Sequence, residues 1–351
     1  MRCLTNMCQA ESNIAGIANE WERFLLAYGD ASKCTPHLYL SALSWIPSGS
    51  SLWDIVRGSF SSALPMISNV PAAWKSERWS ESVGTRVESV SYSPDGQLFA
   101  AGCRDGSIRF WDARSRQKER ESFMTESLVY SIAISPDGHW LASGHMDDKI
   151  RLWDFRVDSP VPRVLEGHTD WVNSVAFSFD GSKLVSGSRD KTVRVWGVEP
   201  GTKIKKTLRG HDRSVTSVTF SANDTRIISG SRNDKMHIWN VETDKQIGDP
   251  LEGYSVACSR DGRFITSGSY DGIIRLWDAQ TYEQIGKFTG HTRFVLSLCF
   301  SFDSKYIASG SDDNSVRVWN VDTRSIISEL KGHTSAVTSI SFSPEIGRAH
   351  V

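Results

Sequence analysis

Six times along this chain an apolar run ends in a tryptophan followed by a small or acidic residue. These are Phe110-Trp111-Asp112, Leu152-Trp153-Asp154, Val195-Trp196-Gly197, Ile238-Trp239-Asn240, Leu276-Trp277-Asp278 and Val318-Trp319-Asn320. Successive tryptophans lie 42, 43, 43, 38 and 42 residues apart. A fixed period in the forties marks one supersecondary unit that cannot bury its own core, so neighbouring units must stack to make one.

The clearest unit predicts four short strands. Val172 to Phe177 reads as the first, and its apolar alternation slips near Asn173-Ser174, which predicts a bulge. Ser178-Phe179-Asp180-Gly181 is a turn, with glycine available for a positive φ. Lys183–Gly187, Thr192–Trp196 and Ile204–Leu208 follow as second, third and outer strands. Four antiparallel strands repeated radially make the blades of a β-propeller, an all-β fold.

The units are unequal. Gly-His pairs open the third (Gly167-His168), fourth (Gly210-His211) and sixth (Gly290-His291), and a seventh begins at Gly332-His333. The fifth is five residues short around Gly253-Tyr254, which predicts a shortened inner strand or lead-in loop. In the seventh, Val337 to Pro344 reads as a first strand and turn. The expected architecture is six four-stranded blades plus an incomplete seventh. Residues 345–351 (Glu345 to Val351) resemble the translation of a sequencing-adaptor oligonucleotide, and the natural chain is expected to carry on past Pro344.

From roughly Thr85 to Pro344 these units resemble the WD40-repeat family. The resemblance implies a buried tryptophan–serine–histidine–aspartate hydrogen-bond network in each blade. Its positions here are His168, Ser186, Asp190 and Trp196; His211, Ser229 and Trp239; and His291, Ser309, Asp313 and Trp319. The fourth unit has Asn233 where aspartate belongs. The first has Ala101 for serine, the second lacks the Gly-His histidine, and the fifth offers Tyr254. Blades one, two and five are therefore expected to be the softer ones. A catalytic Ser-His-Asp triad occurs once, beside a pocket and an oxyanion hole; a set that recurs at the blade period satisfies buried polar groups instead.

The same resemblance implies a binding surface on the propeller's top rim. Its candidates are Arg86, Glu88, Leu128, Tyr130, Trp171, Asn173, Phe294 and Leu296, with Arg104, Arg189, Arg232, Tyr270 and Asp312 in the turns. Aromatic residues and arginine are the usual interface hot spots.

Composition narrows the partner. Lys+Arg 40 against Asp+Glu 41 gives a formal charge of -1, which argues against a general nucleic-acid binder. No run approaches the ~20 apolar residues of a membrane span. The six cysteines (Cys3, Cys8, Cys34, Cys103, Cys258, Cys299) show no metal-ligand or disulfide spacing, and a reducing, cytoplasmic setting is expected. The histidines recur by blade rather than by ligand geometry. No catalytic residue, metal or cofactor is expected.

Residues 1–70 read as a mainly helical lead-in, with helices over Asn19–Tyr28 and Ser51–Arg57, ahead of a propeller spanning 71–344. Trp74–Trp79 is expected as an outer strand. The helical lead-in, the segment Pro36 to Leu43 and the repeats together resemble basidiomycete NACHT-type NTPase proteins related to vegetative-incompatibility proteins. The phosphate loop G-x-x-x-x-G-K-[ST] of that family is absent from this chain. The resemblance implies a non-catalytic protein-binding scaffold, the sensor or regulatory part of such a protein, with other proteins or peptides as partners at its top face. The alternatives are a general adaptor, such as a ubiquitin-ligase substrate receptor or chromatin scaffold, and a propeller hydrolase.

Overall fold

The computed structural model describes residues 82–344, apart from 114, 158–159 and 202–204, together with the backbone of Ala349–His350. The chain divides after Ser80, and all described residues belong to the unit Glu81–Val351. The helices expected over 19–28 and 51–57 and the strand expected over 74–79 lie outside the described residues.

Six four-stranded antiparallel sheets follow one another in chain order, each a simple meander. Blade three consists of Val172–Phe177, Lys183–Ser188, Thr192–Gly197 and Lys205–Arg209. The predicted bulge is present: Ser174 faces Gly187 and Val172 faces Ser188, so Asn173 is left without an opposite number. First strands of the same kind are Val87–Tyr92, Val129–Ile134, Val215–Phe220 and Val295–Phe300 in blades one, two, four and six. The deletion in blade five shortens its first strand to four residues, Ser255–Cys258, which pair with the second strand in unbroken register. In the seventh position Ser341–Phe342 pairs with the backbone of Ala349–His350.

The core lies between blades rather than inside them. Val185, Val193, Val195 and Leu208 of blade three pack with Val215, Val218, Phe220, Ile227 and Trp239 of blade four in one buried cluster. Close approach explains the glycine after each network serine. A Cβ on Gly187 would lie 2.5 Å from Val215 Cγ1 of the next blade. The bottom turns need a positive φ, supplied by Gly96, Gly138, Gly181 and Gly262 and, where glycine is missing, by Asp224 and Ser304.

The inner edge of each first strand faces the channel with no strand beyond it, so its N–H groups need other partners. A serine of the preceding blade supplies one. Ser89 Oγ accepts from Ile132 N at 3.0 Å, Ser131 from Val175 at 3.1 Å, Ser174 from Val218 at 3.1 Å, and Ser217 from Val256 at 3.2 Å. Ser297 serves Ile340 at 3.1 Å, and Ser339 serves Val90 at 3.0 Å. The last bond, reinforced by Thr338 Oγ1 donating to Val87 O at 3.0 Å, joins the seventh position back to blade one and closes the ring. Blade five breaks the series, since Ser255 instead donates to Val295 O at 3.1 Å.

Candidate functional site

In blade three the indole N–H of Trp196 donates to Ser186 Oγ at 2.8 Å. That oxygen lies 2.8 Å from His168 Nε2, and His168 Nδ1 lies 2.8 Å from Asp190 Oδ2. With the indole donating to the serine, the hydroxyl proton goes to Nε2 and Nδ1–H is left for the carboxylate. Blade six repeats the chain: Trp319 to Ser309 at 2.8 Å, Ser309 to His291 at 2.7 Å, His291 to Asp313 at 2.9 Å. Burial alone would raise both aspartates. Hydrogen bonds from His168 and Thr192 to Asp190, and from Ser315 and His291 to Asp313, outweigh it and hold both well below the usual carboxylate range.

Blade four stops short. Trp239 donates to Ser229 at 2.8 Å, and Ser229 meets His211 Nε2 at 2.7 Å. There the chain ends: His211 Nδ1 and Asn233 Oδ1 are both buried and both unpaired. His237 lies beside His211 with ring centroids 4.1 Å apart. Burial, aided by that neighbour, pushes His211 down to about 3.

The remaining blades have other solutions. In blade two the missing histidine is replaced from within the second strand. Ser143 Oγ accepts from Trp153 at 2.9 Å and meets His145 Nε2 at 2.7 Å, while His145 Nδ1 reaches Ser127 O at 3.2 Å. In blade five Ser267 accepts from Trp277 at 2.9 Å and donates to the Glu252 carbonyl at 2.6 Å, so Tyr254 takes no part. The turn aspartates of blades one, two and five each pair with an arginine four residues on: Asp105–Arg109 at 3.0 Å, Asp147–Arg151 at 2.6 Å and Asp271–Arg275 at 2.8 Å. Sequence reasoning missed His145 and these arginines. Each arginine sits two residues before the blade tryptophan, as Arg194 and Arg317 also do; what marks blades one, two and five is that position combined with the missing Gly-His pair.

These sets cannot act as hydrolytic nucleophiles. Ser186 and Ser309 are fully buried, and each already accepts a hydrogen bond from an indole N–H. Burial also pushes the Cys299 thiol up to about 12 and Cys258 to about 11. Among the described residues no group of three or more His, Cys, Asp or Glu could hold a metal ion, and no helix is long and apolar enough to cross a membrane.

The top-rim candidates fall into three groups. On one side Tyr130 of blade two stacks on Trp171 of blade three, centroids 5.4 Å apart, and the Arg189 guanidinium lies 4.4 Å from the Trp171 ring. Tyr130 and Trp171 are thereby half-buried rather than fully exposed. Burial and Glu88 push the Tyr130 hydroxyl up, against the charges of Arg104, Arg189 and Arg86. Arg86 pairs with Glu88 at 3.2 Å, and Glu88 is itself pushed up by burial. Across the mouth, Tyr270 packs on Tyr254 at 5.0 Å and on Phe294 at 4.5 Å, and its hydroxyl donates to Arg232 O at 3.0 Å. Phe294 is 44% exposed. Tyr254 was not among the candidates, although its ring packs against Tyr270 in this cluster. Third, Arg86, Leu296, Arg293 and Asp312 line a polar cleft of about 620 Å³, with Arg293 and Asp312 paired at 3.1 Å. One candidate side chain is occupied structurally: Asn173 Nδ2 donates to Val215 O at 2.8 Å.

Comparison with known proteins agrees with this architecture. The chain is 39% identical over 104 residues to vegetative incompatibility protein HET-E-1 of Podospora anserina, covering 29% of this chain and 8% of that protein. It is 46% identical over 46 residues to the U3 snoRNP-associated protein-like EMB2271 of Arabidopsis thaliana, 13% of this chain and 10% of that one. It is 37% identical over 51 residues to the U3 snoRNP-associated protein-like YAO of the same plant, 14% and 10%. The matches thus span a tenth or less of each relative. The model for the WD domain, G-beta repeat, matches at residues 80–112, 119–154, 160–197, 202–240, 252–278, 282–320 and 324–345. With seven repeats covering more than half of its length, the chain belongs to the WD40-repeat family of β-propellers.

Proposed function

We propose that this propeller is a non-catalytic protein-binding module whose top face captures a protein or peptide partner. A WD40 propeller is suited to scaffolding protein–protein interactions. The observation that carries the reading is the top-rim aromatic array: Tyr130, Trp171 and Arg189 stacked on one side, and Tyr254, Tyr270 and the exposed Phe294 on the other. Large rings held in place by one another, with Phe294 exposed, form a preorganised contact surface of the kind that dominates binding energy.

The wider setting we favour is the sensor or regulatory part of a NACHT-type fungal incompatibility protein, with residues 1–70 as the joining segment and 345–351 as a non-native tail. The partial likeness to vegetative incompatibility protein HET-E-1 supports it. The test is capture of a cellular partner by the wild-type chain and by a Trp171→Ala/Phe294→Ala double variant. Both side chains lie outside the buried interblade clusters, so the variant is expected to keep its unfolding transition and lose the partner. Undiminished capture removes the top face from consideration.

A further inference from the structure

Charge on the top face is not balanced pair by pair. Asp312 is held by Arg293, and Glu88 by Arg86. Asp170 lies 3.6 Å from Arg189, whose guanidinium also covers Trp171. Arg104 of blade one and Arg232 of blade four are exposed and form no salt bridge to any described residue. They occupy equivalent turns: Arg104 N donates to Arg86 O and Arg232 N to Ser214 O, each at 2.9 Å, and the Arg232 carbonyl also accepts from the Tyr270 hydroxyl at 3.0 Å. An exposed guanidinium presents a planar donor fork that matches a carboxylate bidentately.

Resting on the top-face reading above, we infer that the partner segment is acidic, an extended peptide whose carboxylates pair with Arg104 and Arg232 while an apolar or aromatic residue packs on Trp171 or Phe294. The two arginines come from different blades, and neither has a salt bridge to a described residue. Single-charge carboxylates spaced along a peptide suit that arrangement, whereas a phosphate dianion is best held by guanidiniums that converge on one point. Nucleic acid fits less well. Glu88, Asp170 and Asp312 are each already held by an arginine, which leaves two separated guanidiniums rather than the continuous basic stripe that a polyphosphate backbone needs.

The test uses the full chain and fluorescently labelled dodecamers at low and physiological salt. The probes are an alternating Glu/Tyr peptide, its Gln/Tyr counterpart, a phosphoserine/Tyr peptide and an oligouridylate. The Glu/Tyr peptide is expected to bind at least tenfold tighter than Gln/Tyr at low salt and to weaken as salt rises. Arg104→Gln/Arg232→Gln should erase that preference while the unfolding transition stays in place. Equal binding of Glu/Tyr and Gln/Tyr, tighter binding of phosphopeptide or RNA, or no binding of any peptide overturns the inference. The top-face reading stands or falls separately, on partner capture by the Trp171→Ala/Phe294→Ala variant.

Discussion

Blades six and four start from the same plan and end differently. Both open with Gly-His, and both run indole to serine to imidazole within 2.8 Å steps. In blade six the imidazole then meets Asp313, and every member has a partner. In blade four the asparagine that replaces aspartate leaves two orphans, His211 Nδ1 and its own Oδ1. One missing carboxylate thus loses more than one bond. Blades one, two and five avoid the problem by abandoning the Gly-His histidine and giving the turn carboxylate an arginine. Blade four retains the histidine without the carboxylate, and at the arginine position it has His237.

The sharpest way to break this comparison is the shared serine. Ser309→Ala strands the Trp319 N–H and His291 Nε2 together, and at about 1–3 kcal/mol for each unpaired buried group it is expected to cost about 3 kcal/mol in urea unfolding. Ser229→Ala in blade four should cost less, about 2 kcal/mol, because no carboxylate pins His211 and the ring is free to find another partner. Equal losses would mean that the carboxylate does not organise the network.

Asp313→Asn converts blade six to the blade-four pattern and is expected to cost about 2 kcal/mol at neutral pH, read by the same unfolding experiment. Native-state hydrogen exchange should place the loss in blade six and its neighbours, leaving blade three protected. A variant as stable as the parent would show that the orphaned groups in blade four carry no penalty.

Acid separates the two blades next. Burial holds His211 near 3 and His145 near 4 in the folded state, against about 6.5 when unfolded. Because the folded values are the lower ones, the stabilisation is complete above about 6.5 and is lost as pH falls toward them. Between pH 6.5 and 5.5 each should cost about 1 kcal/mol. The depressed aspartates, Asp190 and Asp313, lose their contribution at lower pH, from the ordinary carboxylate value downward. His211→Gln should remove about 1 kcal/mol of the loss in the upper window and leave the share that His145 carries; an unchanged profile would place the acid sensitivity elsewhere.

How much of this was visible beforehand follows from what periodicity encodes. The tryptophan period specified the blades, the bulge at Asn173 and the short inner strand of blade five, because each leaves a mark in local spacing. The completed network of blade two leaves no such mark. His145 lies within the second strand, and only the fold brings its ring to Ser143. Blade five likewise ends its network on a main-chain carbonyl, which has no residue type to read. The channel serines, Ser89 through Ser339, keep the tryptophan period and could have been found; they are too ordinary a residue to stand out one at a time. At the rim, the sequence pattern selects turn and strand-edge positions. It could not reveal that Asn173 is occupied by Val215 or that Tyr130 is covered by Trp171, since both contacts cross between blades.

The smallest effect is also the most direct check on the cause. Asn233→Asp supplies the acceptor that blade four lacks, and His211 Nδ1–H gains the partner that His168 and His291 already have. The gain is reduced by its surroundings: Asp234 is adjacent, and burial already pushes that carboxyl up. A net stabilisation of about 0.5 kcal/mol at pH 7 is expected, at the lower end for one added hydrogen bond. The clearer readout is His211 itself, followed by NMR. A carboxylate favours the charged imidazole, so its pKa should rise from about 3, and the acid loss between pH 6.5 and 5.5 should shrink with it. Should the stability rise while the His211 titration stays where it is, the new carboxylate has found another partner, and the vacancy at Asn233 is not what leaves His211 unpaired.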